Sequence, residues 1–188
     1  MSKFAVASLA LEGVLLIVPK RFEDPRGYLV ETYRADLFRE IGISAEFVQD
    51  NHSFSASRGT IRGLHFQRPP AAQAKLVRAI RGSIFDVAVD LRRGSPTFGR
   101  WCGATLTAAG GEQLFVPRGF AHGFCTLEPD TEVAYKMDDY YAPNYDAGLL
   151  WEDLEVGIRW PVDPAEAILS DKDRKLPRLA ELDSPFIA

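Results

Sequence analysis

The stretch TIRGLHFQRPPAAQAKL, residues 60–76, carries Arg62, His65 and Lys75 in a segment that otherwise reads as a hydrophobic strand. A core strand has no packing use for three such groups, so their chemistry needs a reason. His65 is the natural general base near neutral pH, and a carboxylate on its second ring nitrogen would fix the tautomer and raise its basicity. Taken alone, a strand histidine is more often a hydrogen-bonded core residue. Its company shifts the balance: Lys75 lies nearby, Tyr135 shares an inward strand face with Val133 and Met137, and His122 follows in the loop-like run PRGFAH. An arginine, a lysine, a histidine and a tyrosine pooled at one barrel mouth suit an anionic substrate that exchanges protons.

Other chemistries are poorly served. The histidines are His52, His65 and His122, and the position two after His65 is Gln67, where metal-binding barrels of this kind place a second histidine. No metal is therefore expected. Ser53, Ser55 and Ser57 lie near His52, but no nucleophile-elbow pattern surrounds them. The absence of a GxGxxG or Walker loop argues against a nucleotide cofactor and against phosphoryl transfer. Cys102 and Cys125 match no ligand spacing and are too few for a disulfide framework, which fits a reducing cytoplasm.

The elements that must position these groups are β-rich. Candidate strands run at 13–18, 27–33, 46–55, 60–67, 75–80, 83–92, 100–107, 112–117, 123–128 and 131–141, separated by turns such as DPRG, RPP, RGSP, AAGGE and EPD. ADLFREIG, 35–42, has Leu37, Phe38 and Ile41 at helical spacing and stops at Gly42. No βαβ alternation appears, so the expected architecture is an all-β jelly roll, a cupin-type double-stranded β-helix with a few short peripheral helices. At 188 residues, 46% apolar and 26% charged, one domain over 1–188 is expected, with 142–188 as a wrapping segment that holds a short helix or two. The N-terminal run to Pro19 is broken by Glu12 and Gly13 and falls short of the roughly 20 apolar residues of a membrane span, so it reads as an entering strand. A net charge of −4 without blocks of like charge disfavours nucleic acid and anionic membranes as partners.

Strand parity makes sharper statements. In SIFDVAVDLR, Phe85, Val87, Val89 and Leu91 share one face, and Ile84, Asp86, Ala88 and Asp90 share the other. In TIRGLHFQ, strict alternation puts Arg62 and His65 on opposite faces, unless Gly63 marks a bulge.

The motifs RGLHFQ, PPAAQAKLVR, GSIFDVAVDLRRGSPTFGRW, FVPRGFAHGF, EVAYKMDDYYAP, WP and LSDKD occur in that order. Together they resemble the dTDP-4-dehydrorhamnose 3,5-epimerase family from about residue 13 to residue 175. The resemblance implies a cupin-type homodimer exchanging N-terminal strands, with no cofactor and no metal. It also implies epimerisation of dTDP-4-keto-6-deoxy-D-glucose at C3 and C5 through an enolate, a step of dTDP-rhamnose biosynthesis. By the same resemblance His65 is the base, Asp173 the carboxylate that orients it, Lys75 the group that stabilises the enolate oxygen, and Tyr135 the acid on the opposite face. Arg62 falls near the sugar and phosphates, which favours the bulge. Arg26, Glu31, Gln49, Asn51 and His122 are implied to hold the nucleotide, Arg26 through the diphosphate. Without the resemblance, the RG of DPRG reads as a turn, and Gln49 and Asn51 as strand-end caps. Where the family commonly has aromatics after its RG, this chain has Tyr28, Leu29 and Val30. An epimerase acting at C3 or C5 alone, a metal-dependent cupin enzyme and a barrel that only binds a sugar nucleotide stay open as alternatives.

Overall fold

The computed structural model describes residues 3–188. In chain order its first strands are β1 (Phe4–Ser8), β2 (Leu15–Pro19), β3 (Arg21–Asp24) and β4 (Gly27–Val30), followed by helix α1 (Ala35–Glu40). Next come β5 (Gln49–Ser55), β6 (Ile61–Gln67), β7 (Lys75–Arg81), β8 (Ser83–Asp90), β9 (Arg92–Arg93) and β10 (Trp101–Thr107). The remainder are β11 (Gln113–Val116), β12 (Phe120–Thr126), β13 (Thr131–Met137), β14 (Asp146–Gly148) and β15 (Phe186–Ile187). Two antiparallel sheets carry the fold: one in the order β1-β2-β11-β7-β13-β5, the other β10-β8-β12-β6-β14. This is the all-β jelly roll that the strand spacing predicts.

The alternation of β8 explains how the layers stack. Ile84 and Ala88 point between the sheets and join Val77, Leu114, Val116, Phe120, Phe124 and Val133 in one buried cluster. On the other face Phe85, Val87, Val89 and Leu91 would lie open to water if the C-terminal segment did not cover them with Leu179, Leu182 and Phe186. Fully burying side chains of this size contributes roughly 1.5–3 kcal/mol each, so the covering segment is firmly held. Its end is tied by the Ser184 hydroxyl, which donates to the Leu91 carbonyl, and by parallel pairing of β15 with β9. Because both faces are buried, β8 reads as a nearly unbroken apolar run, and its two carboxylates stand out. Asp90 is spent on structure: it accepts from Arg92, Ser95 and Thr97, and these bonds prevail over burial to hold its carboxyl down at about 2.

Several boundaries differ from those expected. The N-terminal run is a hairpin rather than one entering strand, with Phe4 opposite Pro19 and Ser8 opposite Leu15, because Glu12 and Gly13 fall in the turn. β4 ends at Val30 and β13 at Met137, three and four residues early, where DDYYAP leaves the sheet. The C-terminal segment contributes β14, β15 and three short 3-10 turns, at Pro143–Tyr145, Asp173–Lys175 and Leu179–Glu181. His122 sits within β12 rather than in a loop. The turn before it finishes at Gly119, whose φ of +94° and closeness to Arg92 exclude a side chain, so pairing starts at Phe120. Among the described residues no helix is long and apolar enough to cross a membrane.

Candidate active site

The pairing of β6 with β12 settles the parity conflict. His65 faces His122 and Arg62 faces Phe124, so Gly63 and Leu64 together stand opposite Gly123 alone. This is a β-bulge, and it turns Arg62 to the side of His65, where both line a cavity of about 430 Å³. Only glycine serves at position 63. Its φ is +125°, and a Cβ there would lie 2.6 Å from the Gly123 Cα and 2.8 Å from the His122 carbonyl oxygen.

The cavity occupies the part of the space between the sheets that the apolar cluster leaves open. Arg62, His65 and His122 come from β6 and β12 of one sheet, and Lys75 and Tyr135 from β7 and β13 of the other. Residues 168–170, with Lys172 and Asp173, close one side. An adjoining hollow of about 170 Å³ shares His65, Lys75, Tyr135 and Lys172 and adds Asn51, Tyr141 and Asp146. A wider hollow of about 590 Å³ beside Ile43 and Phe115 has less to offer, because its Arg118 and Asp138 are already bonded to each other.

His65 Nε2 lies 2.7 Å from Asp173 Oδ1. The histidine side chain is 31% exposed and the aspartate 5%, so the imidazole reaches the cavity while its partner stays dry. Burial works to raise the Asp173 carboxyl, but bonds from His65, the Gly63 N–H and Ser170 outweigh it and hold the group below the usual carboxylate range. A charged carboxylate on Nε2 fixes the proton there and leaves the Nδ1 lone pair for abstraction. Lys75 donates to the His65 carbonyl at 3.4 Å, and burial pulls its ammonium down to about 8, against the charges of Asp86 and Asp146. Tyr135 OH accepts from Asn51 Nδ2 at 3.3 Å, and the Asn51 amide oxygen takes a bond from Gln49 at 3.0 Å. Arg62 is braced by Ser55 Oγ and the Phe54 carbonyl.

Not every expected residue converges here. His122, read from the resemblance as a nucleotide contact, is the register partner of His65 and so faces the same end of the cavity. Arg26 sits at the tip of the β3–β4 hairpin, 90% exposed and bonded to Asp24, and Glu31 pairs with Lys3 and Arg34. Neither lines the cavity within one chain. His52 lies on the outer face of β5 beside Glu132, and among the described residues no group of three histidine, cysteine or acidic side chains is placed to hold a metal ion. Cys102 and Cys125 are free and buried, and burial pushes both thiols up to about 11, unsuited to nucleophilic work.

Other polar groups at the site were not anticipated. Lys172 and Asp146 form an ion pair at the mouth, and Tyr141 stands beside them, 55% exposed. Asp86 lies fully buried on β8, its Oδ1 2.7 Å from His122 Nε2. Its signal was present in the sequence, as a carboxylate on the inter-sheet face of an apolar strand. Taken together, the site has an imidazole on one wall and a phenol hydroxyl and a buried ammonium on the other. Such a set can remove a proton next to a carbonyl, hold the resulting oxyanion and return a proton from the far side.

Comparison with known proteins gives consistent matches. The family model for dTDP-4-dehydrorhamnose 3,5-epimerase matches residues 8–181. A protein of that name from Sinorhizobium fredii is 50% identical over 179 residues, covering 95% of this chain and 91% of its own. The crystal structure of the Bacillus anthracis protein of the same name, with TDP and PPi bound, superimposes with a TM-score of 0.90 at 50% identity, covering 93% of this chain and 99% of that one. A dTDP-6-deoxy-D-glucose-3,5-epimerase from Legionella pneumophila, in complex with dTDP-4-keto-L-rhamnose, gives a TM-score of 0.91 at 39% identity, covering 96% and 95%.

Proposed function

The chain belongs to the dTDP-4-dehydrorhamnose 3,5-epimerase family, and from that premise we propose how its own residues carry out the reaction on dTDP-4-keto-6-deoxyglucose. C3 and C5 both flank the C4 ketone, so loss of either proton gives an enolate with its charge on the C4 oxygen. His65 Nδ1 takes the proton, the C–H electron pair moves into the ring, and the Lys75 ammonium faces the oxygen that becomes negative. Tyr135 then gives its proton to the same carbon from the opposite face, which inverts it. Afterwards the histidine has gained a proton and the tyrosine has lost one, and exchange with water resets both. The observation that carries this reading is the placement of His65 and Tyr135 on facing sheets across one cavity. No step draws on a cofactor, and a cytoplasmic location fits the two free thiols.

The test is proton NMR of dTDP-4-keto-6-deoxyglucose with the protein in D2O, without added metal. Deuterium entering at both C3 and C5, with the L-rhamno product, is the expected result. Entry at one carbon makes the protein a single-site epimerase, and entry at neither overturns the reading.

The same proposal includes a homodimer. Arg26 stands free of the cavity on a hairpin that exposes Phe22, Tyr28 and Leu29, the last at 71%. A second copy would bury these apolar side chains and receive Arg26 and Glu31 at its own site. Mixing inactive Arg26→Ala and His65→Ala proteins under exchange conditions is then expected to restore activity. Mixed dimers hold one site with both residues intact, approaching a quarter of the wild-type rate if exchange is complete. Mixtures as inactive as their components would show that each chain builds its site alone.

A further inference from the structure

Asp86 has no part in the proton transfers just described, yet it is fully buried beside the site. Its Oδ1 accepts from His122 Nε2 at 2.7 Å, and its Oδ2 has no hydrogen-bond partner among the described residues. A buried carboxylate with half its acceptors unused is unfavourable, and an asparagine in its place would accept the same bond from His122 without the charge. The negative charge therefore calls for a purpose of its own.

The groups around Lys75 supply one. Among the described residues its ammonium forms no ion pair, and its hydrogen bond is to the His65 carbonyl. Asp146 on β14 faces it but is already tied to Lys172. Asp173 is committed to His65, and Tyr135 on the neighbouring strand bonds Asn51. His122 stays neutral because burial pushes it below its ordinary range, so it offers Asp86 a hydrogen bond and no counter-charge. Asp86 is left as the uncommitted anion facing Lys75. Its hydrogen bond also fixes the His122 tautomer, with the proton on Nε2 and Nδ1 as an acceptor.

We propose that Asp86 is a positioning residue for the reaction, orienting His122 and supplying the buried negative charge that keeps Lys75 protonated while the enolate exists. The inference rests on the epimerase reading and goes beyond it, since it assigns a role to a side chain outside the cavity lining. Its physical content is a sign. A neighbouring anion favours the ammonium, so losing that anion lets Lys75 shed its proton at lower pH.

The experiment compares wild type, Asp86→Asn and Asp86→Glu by the pH dependence of kcat and KM, together with a ¹³Cε-lysine NMR titration of Lys75 in the substrate-free proteins. Wild-type kcat is expected to fall as pH rises through about 8, where Lys75 loses its proton. In Asp86→Asn the falling limb and the Lys75 titration both move down by about one pH unit, which cuts kcat about fivefold at pH 8 and approaches tenfold above it. The loss shrinks toward pH 6, and KM changes little. Asp86→Glu keeps the charge and holds the limb near its wild-type position. If the asparagine variant melts early, Asp86→Ser carries the same comparison, with room for water beside His122. A uniform loss at every pH with the limb unmoved, or an unshifted Lys75 titration, overturns the inference. A wild-type protein that exchanges no substrate deuterium overturns the epimerase reading instead, and the lysine titration still decides whether Asp86 governs Lys75.

Discussion

Replacing His65 with alanine is expected to lower turnover of dTDP-4-keto-6-deoxyglucose by about 10³- to 10⁴-fold and to remove deuterium exchange at C3 and C5 together. At the upper end this is about 5.5 kcal/mol of barrier, the scale for a positioned base whose place water takes poorly. Both positions fail together because His65 is the imidazole that opens into the cavity, its side chain 31% exposed. His122, the other ring within reach, also has a carboxylate on Nε2, but its side chain is buried, and burial pushes it below its ordinary range, so it is the poorer base. The fold should survive. The variant strands one oxygen of Asp173, but the Gly63 N–H and Ser170 still serve that carboxylate, so the stability cost is about 1–3 kcal/mol. Deuterium exchange followed by NMR, with a thermal melt of the same sample, separates loss of the base from loss of the fold. Equal exchange in wild type and variant would remove His65 from the role of base.

What the sequence made legible was what depends on residue type and alternation. His65, Lys75 and Tyr135 stood out as polar groups in strands, and period-2 reading placed Ile84 and Ala88 on the face opposite Val87 and Val89. Arg62 shows where alternation alone fails: the two-against-one pairing at Gly63 changes its side, and a glycine in a strand signals a bulge without giving its geometry. The Lys172–Asp146 pair was out of reach for a different cause. It forms because the chain after Gly148 runs over the outer face of a sheet and returns to the cavity mouth, a path fixed by Trp151, Val156 and Leu179 fitting hydrophobic surface rather than by any local pattern. Asp173 came from the resemblance and not from spacing, since 108 residues of chain separate it from His65. Arg26 and Glu31, expected from the resemblance to hold the nucleotide, lie outside the cavity of a single chain.

Tyr135→Phe should fail in another way. The hydroxyl is the only part of the side chain that changes, and the ring keeps its packing on the inter-sheet cluster, so the cavity keeps its shape. What is lost is the proton donor on the wall opposite His65, together with a 3.3 Å bond from Asn51. His65 can still remove a proton, Lys75 can still hold the enolate, and the same imidazole, now carrying solvent deuterium, can return it to the face from which it came. The expected result is deuterium at C3 or C5 with the original configuration, at a rate within about tenfold of wild type. Formation of the inverted product falls by about 10²- to 10³-fold. Proton NMR distinguishes the two events in one sample, because inversion changes the ring coupling constants whereas exchange with retention only erases a signal. Exchange and inversion falling in step would mean that Tyr135 is needed to form the enolate, and the division of labour between the two walls would have to be abandoned.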